Sequence, residues 1–207
     1  MNFDSALKLL TDFKPEKLLG EKAHFEIAPY RVNYSKFKPK SPNKAAVLML
    51  IYPYLDEAYF TLIQRPSYNG SHSGQIALPG GKWEDNDKNL TQTALREARE
   101  EINVHESEVN IVGKLTDIYI PPSNFEVTPI IGISSKRSNF KPNQREVDEI
   151  LEIPLRDLLN PTSLKETEIK IGNEKKLQTP YFDLKSKVVW GATAMILNEI
   201  KCYLLDV

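Results

Sequence analysis

The chain has 207 residues, 41% of them hydrophobic, and a formal net charge of −1. That length supports one substantial core rather than two full domains, and the near-neutral balance provides no overall basic field for nucleic acid. The single cysteine, Cys202, excludes an internal disulfide and a cysteine-built zinc site. With no apolar run near the roughly 20 residues of a membrane span, and no basic-then-apolar leader, no membrane partner is expected and the protein reads as cytoplasmic.

In chain order, Phe3, Leu7, Leu10 and Phe13 stand at helical spacing, with Asn2 or Asp4 as the cap and Pro15 as the break. Residues 23–43, rich in Lys, Pro and Tyr, lack periodicity and read as irregular. Residues 1–43 are therefore expected to form a helical and irregular arm, and residues 44–207 the main domain. Tyr30, Tyr34 and the lysines suggest that the arm closes a pocket, while a homodimer built on it stays open.

Ala45–Tyr52 and Ala58–Arg65 read as two strands joined by a hairpin. After a polar, Gly-bearing stretch, a short strand runs into Pro79-Gly80-Gly81, where two glycines free the backbone to turn. A helix is predicted from about Asn89 to Ile102, with Leu90, Ala94, Ala98 and Ile102 as its apolar stripe. Further strands are predicted at residues 110–118, 127–134 and 150–153, and a short helix at 154–159. Residues 162–178 are expected to be a charged hairpin or loop, followed by short strands at 181–184 and 188–190. A last helix from Gly191 to Tyr203 is expected to bury Ala192, Met195, Ile196, Ile200 and Tyr203. This order implies an α/β fold with a mixed β-sheet between helices.

Candidate chemistry is concentrated in Arg96-Glu97-Ala98-Arg99-Glu100-Glu101. Glu97, Glu100 and Glu101 are related as i, i+3 and i+4, in the last turns of a helix whose dipole disfavours them by about 0.3–1 kcal/mol each. A solvated charge run, neutralised by Arg96 and Arg99, is the ordinary reading of such a stretch. The Gly-Gly turn upstream favours a different one. Hard oxygen donors on one helix face, opposite a turn with free carbonyls, suit Mg²⁺ or Mn²⁺.

This constellation resembles the Nudix box, G-x5-E-x7-R-E-U-x-E-E-x-G-U with U apolar. Gly81 opens it, Asp87 stands where the early glutamate is usual, the connecting segment is one residue longer, and Asn103 replaces the late glycine. Asparagine tolerates the left-handed backbone expected there. The surroundings are similar to the coenzyme A pyrophosphatase branch of that superfamily. The similarity runs through Thr61-Leu-Ile-Gln-Arg65, Gly74-Gln75-Ile76-Ala77, Leu78-Pro-Gly-Gly81, Pro122-Ser123-Asn124-Phe125 and Trp190-Gly191-Ala192-Thr193-Ala194. Gly70 stands where that branch carries an arginine.

The resemblance implies a Nudix-type α/β/α sandwich and hydrolysis of the pyrophosphate of a small nucleotide substrate. Coenzyme A or its derivatives come first, giving 3′,5′-ADP and phosphopantetheine. The alternatives are another nucleoside diphosphate derivative (ADP-ribose, NADH, a dNTP) or a non-catalytic nucleotide sensor. It further implies Glu97, Glu100, Glu101 and the Gly81 carbonyl as metal ligands, with Arg96 orienting the carboxylates, Asp87 in support and Glu97 as base. Arg65, Gly74, Gln75, Gly80, Lys82 and His72 are the expected substrate-binding residues. For His72 a plain loop histidine is the more ordinary reading. Ser123, Asn124 and Phe125 either shape a pocket rim or pack, Trp190 reads as packing, Glu146 and Glu149 are candidates for a late carboxylate, and Cys202 is expected to be structural.

Overall fold

The two apolar runs form the centre of the sheet because both are buried on both faces. In this computed structural model, which describes residues 1–32, 39–67, 74–171 and 175–206, β1 spans Asn43–Tyr54 and β2 spans Glu57–Gln64. Alternate residues of β1 serve two cores: Ala46, Leu48, Leu50 and Tyr52 face one side, Met49 and Ile51 the other. Leu55 and Asp56, both at positive φ, make the tight turn of this antiparallel hairpin.

Downstream strands add to this pair. β3 (Ile76–Ala77) pairs with β2, and β4 (Gly80–Lys82) with the start of β1. Past α3 (Leu90–Ile102) come β5 (Asn110–Lys114), β6 (Ile118–Ile120) and β7 (Phe125–Ile133). β7 runs parallel to β1, with Asn43 opposite Phe125 and Ile51 opposite Ile133, whereas β8 (Glu149–Pro154) lies antiparallel on β2. One parallel pair among antiparallel ones makes the sheet mixed, as expected. α4 (Leu155–Leu159) follows, then β9 (Leu164–Ile171), β10 (Lys175–Leu184) and β11 (Lys187–Val189) as a separate three-stranded sheet, and finally α5 (Gly191–Asp206).

Helices cover both faces. α3 closes one core through Ala94, Ala98 and Ile102; on the other face α5 packs with α1 (Phe3–Thr11) and α2 (Glu21–Ile27). The α/β/α sandwich predicted from sequence is the architecture found.

Four local expectations are corrected or narrowed. Residues 23–43 are not irregular throughout, since α2 buries Ala23, His24 and Ile27. Residues 110–118 are not one strand: the chain leaves the sheet at Thr116, whose N–H and hydroxyl both donate to Glu199. In the excursion expected as a charged hairpin or loop, β9 and β10 pair antiparallel, and β10 runs on through Leu184 instead of leaving a separate strand at 181–184. In α1, Ala6 is buried and Leu7 is exposed, while Asn2 rather than Asp4 is the cap, its Oδ1 accepting the Ser5 N–H at 2.8 Å.

The arm is built into the core. The Ala58 N–H donates to the Met1 carbonyl, and the Asn198 amide donates to the Ala23 carbonyl at 2.8 Å. His24 Nε2 lies 3.0 Å from the fully buried Glu199 carboxylate. These contacts hold residues 1–28 on the face opposite α3. Tyr34, the other aromatic suggested as a pocket cover, lies outside the described residues.

Candidate active site

α3 is positioned first. Asn89 caps it, its Oδ1 accepting the Gln92 N–H at 2.9 Å, and small Ala94 and Ala98 let it lie close to β1. Fully buried Ile102 contributes about 1.5–3 kcal/mol to that contact. At the far end Asn103 takes the left-handed conformation (φ 61°), and the Asn103 and Val104 N–H groups close on the Arg99 and Ala98 carbonyls. The expected substitute for the late glycine is therefore seen in its geometry.

Helical periodicity separates the three glutamates. Glu101 turns toward the sheet and is only 4% exposed; its Oε2 accepts the Gly80 N–H at 2.8 Å. Burial, with Glu97 and Glu146 nearby, pushes its carboxyl up to about 8. Glu97 is intermediate and is likewise raised, chiefly by burial, against the opposing pull of Arg96. The Glu100 side chain is half exposed.

The Pro-Gly-Gly turn is fitted to these side chains. Gly80 has φ +152°, and a Cβ there would stand 2.3 Å from the Ala46 carbonyl oxygen. A Cβ on Gly81 would stand 2.4 Å from Glu97 Oε1. Glycine at 81 is thus the space in which the Glu97 carboxylate sits.

Arg96 is the hub. It donates to Glu97 Oε1 at 3.0 Å, to Glu100 Oε2 at 3.1 Å and to the Lys82 carbonyl at 2.9 Å. Its other contacts form a fork on Asp87, at 3.0 and 3.1 Å. Asp87 is buried and also accepts the Glu84 N–H and the Thr93 hydroxyl. Arg96 foremost, with those donors, holds the Asp87 carboxyl down at about 2. Asp87 is therefore a support for Arg96, one remove from the cleft carboxylates.

The cleft, about 580 Å³, brings Arg65, Gly80, Gly81, Lys82, Arg96, Glu97, Glu100 and Glu101 together with Arg145 and Glu146. Sequence reasoning left Arg145 out. Its position depends on a loop whose course no local pattern reveals: the Lys141 and Asn143 N–H groups donate to the Ile102 and Glu101 carbonyls, fastening residues 141–143 to the end of α3. Gly74 and Gln75 stand behind Arg65 rather than on this lining; the Gln75 carbonyl accepts the Arg65 N–H at 3.0 Å. Glu149 is elsewhere, paired with Lys187 at 2.7 Å. Asn124 holds a left-handed turn with its Oδ1 on the Tyr119 hydroxyl, Trp190 is partly buried, Cys202 is half-buried, and His72 lies outside the described residues. A wider hollow of about 960 Å³ on the outer side of α3 includes Arg99 and His105 but not Glu97 or Glu101. The carboxylate chemistry belongs to the smaller cleft.

The donor set suits a hard divalent cation: the five carboxylates of the lining, Glu84, Glu97, Glu100, Glu101 and Glu146, are oxygen donors, and Glu97 and Glu101 are raised by burial and mutual repulsion that a cation would relieve. Among the described residues no three acidic, histidine or cysteine side chains converge on one point. One oxygen of each raised carboxylate is engaged, Glu97 Oε1 by Arg96 and Glu101 Oε2 by the Gly80 N–H.

A family model described as NUDIX domain matches residues 42–174. The chain is 36% identical to Nudix hydrolase 15, mitochondrial, of Arabidopsis thaliana over 83% of its own length, and it spans 61% of that protein. It is 32% identical to a Yersinia pestis protein described as the uncharacterized Nudix hydrolase NudL, covering 82% of this chain and 83% of that one. Among solved structures, the NUDIX domain of Shewanella oneidensis NrtR complexed with ADP ribose is 21% identical, with 64% of this chain and 85% of that chain covered and a TM-score of 0.46.

Proposed function

This chain belongs to the Nudix hydrolase family, and from that premise we propose that it cleaves the pyrophosphate of coenzyme A or a derivative, giving 3′,5′-ADP and (acyl-)phosphopantetheine. The observation that carries the reading is the Glu97–Glu101 wall held against Gly80-Gly81 by Arg96, in a cleft that also presents Arg65 and Lys82. The branch rests on the motif around Arg65, Gly74-Gln75-Ile76-Ala77 and Pro79-Gly80-Gly81.

In this reading Glu97, Glu100 and Glu101, with the Gly81 carbonyl, would hold Mg²⁺ or Mn²⁺, the class of ion the family generally uses. Such an ion lowers the pKa of bound water and offsets phosphoryl charge. Arg65 and Lys82 bind the diphosphate, with Gly80 and Gly81 allowing it to approach the backbone. Arg96 sets the rotamers of Glu97 and Glu100, and Asp87 fixes Arg96. Glu97 takes the proton from the attacking water. The water oxygen joins one phosphorus, the bond from that phosphorus to the bridging oxygen breaks, and the bridging oxygen leaves on the other phosphate.

The test is product analysis with coenzyme A, ADP-ribose and NADH in Mg²⁺ or Mn²⁺, with Glu100→Gln as control. Release of 3′,5′-ADP from coenzyme A in preference to turnover of the others, lost in the variant, supports the proposal. Cleavage of another substrate alone keeps the reaction and removes the branch. No turnover at all favours the sensor. We also assign the enzyme to the cytoplasm. No helix among the described residues is long and apolar enough to cross a membrane, and since the Arabidopsis relative is described as mitochondrial, fractionation of the source cells decides the compartment.

A further inference from the structure

We propose that Arg145 is a substrate-binding residue that grips the diphosphate together with Arg65 and Lys82; this rests on the pyrophosphatase reading above. The Asn143 N–H is bonded to the Glu101 carbonyl at 2.9 Å, and Asn143 Oδ1 accepts the Arg145 N–H at 3.2 Å. The Asn143 carbonyl takes the N–H groups of Glu146 and buried Val147. Arg145 is thus referenced to the backbone of the carboxylate helix itself, two hydrogen bonds from Glu101.

The charge arrangement supplies the second step. Arg145 lines the same cleft as Glu97, Glu100, Glu101 and Glu146, yet among the described residues its guanidinium makes no ion pair. Arg96, in the same cleft, is committed to Asp87, Glu97 and Glu100. An exposed guanidinium that shares a cleft with carboxylates but is bound to none keeps its full donor fork for an incoming anion. That fork matches two phosphate oxygens at once, which an ammonium does not. Arg65 directly after β2, Lys82 at the end of β4 and Arg145 in the loop before β8 thus bring three cations to one cleft from separate elements.

The test uses the full chain with Mg²⁺ and α,β-methylene-ADP, whose diphosphate the protein cannot cleave, followed by calorimetry, alongside kinetics on coenzyme A. Arg145→Ala is expected to weaken analogue binding and raise KM by about tenfold or more, with kcat held within about threefold and Tm unchanged. Arg145→Lys recovers only part of the affinity, because charge returns without the fork. If wild type turns over substrate and the alanine variant keeps KM and analogue affinity within about twofold, or loses kcat alone, Arg145 does not grip the diphosphate. If wild type binds the analogue but cleaves nothing, the hydrolase reading fails, and analogue affinity in Arg145→Ala still decides this inference. If wild type neither binds the analogue nor cleaves coenzyme A, both are overturned; if it cleaves coenzyme A without binding the analogue, the KM of Arg145→Ala decides this inference.

Discussion

Replacing Arg96 by alanine removes five hydrogen bonds, but they are not of equal weight. The contact with the half-exposed Glu100 contributes about 0–1 kcal/mol, as surface ion pairs do. The Asp87 side chain is 3% exposed, and stranding that charge without its fork costs about 3–5 kcal/mol. Taking about 3 kcal/mol, and 2–4 °C per kcal/mol for a chain of this size, Tm falls by about 6–12 °C. Adding Asp87→Asn to Arg96→Ala removes the stranded charge while leaving an acceptor for Glu84 and Thr93, so it restores most of the loss. The acid limb gives a second check. The folded-state pKa is depressed, so this stabilisation is present above the unfolded value of 3.8 and is lost as pH falls toward about 2. Urea denaturation of wild type, both singles and the double at pH 6 and pH 3 reads the cycle. If the two single losses add to within about 0.5 kcal/mol at pH 6, Asp87 and Arg96 are not coupled and the hub assignment is wrong.

Further outcomes follow from the same geometry. Gly81→Ala should fold, because its Cβ meets the movable end of Glu97, yet lose about a hundredfold or more in kcat/KM, whereas Gly80→Ala, driven into the Ala46 carbonyl, should fail to fold. Circular dichroism with turnover distinguishes them, and full activity in Gly81→Ala would break the link between that glycine and Glu97. Glu101 carries a raised folded pKa, so the stability it contributes is present below the ordinary 4.5 and lost as pH rises through about 8. In EDTA, Glu101→Gln should therefore melt above wild type at pH 9 and close to it at pH 5; a lower melting point at pH 9 counts against the burial argument. Thr61, fully buried, has a hydroxyl with no hydrogen-bond partner among the described residues, so Thr61→Val should stabilise by about 1 kcal/mol in urea titrations, and destabilisation would show the hydroxyl to be satisfied.

The sequence made α3 legible because two signals agree there: the apolar stripe through Ala94, Ala98 and Ile102, and glycines spaced ahead of the acidic core. The unequal burial of the three glutamates was implicit in the same 3.6-residue period, which carries Glu101 into the stripe three residues after Ala98. Other features depend on residues far apart. The break after β5 exists because Glu199, 83 positions later, takes the Thr116 N–H. α2 is about two turns long and its burial is decided by α5, too short a stretch for a stripe to announce it. Arg145 reached the cleft through backbone bonds from Asn143 to α3, a connection with no period to detect.

The joint between α2 and α5 also sets an order on synthesis. His24 and Glu199 are 175 positions apart, so at roughly 5–20 residues per second the ribosome needs roughly 10–35 s to deliver the second after the first. Through that interval Ala23 and Ile27 have no α5 to lie against, and their apolar surface is open to chaperones and to neighbouring nascent chains. The carboxylate cleft, drawn from residues 65–146, has all its parts earlier. Premature termination within α5 should therefore harm yield in the cell far more than its distance from the cleft suggests, by leaving the opening helices without their counterpart.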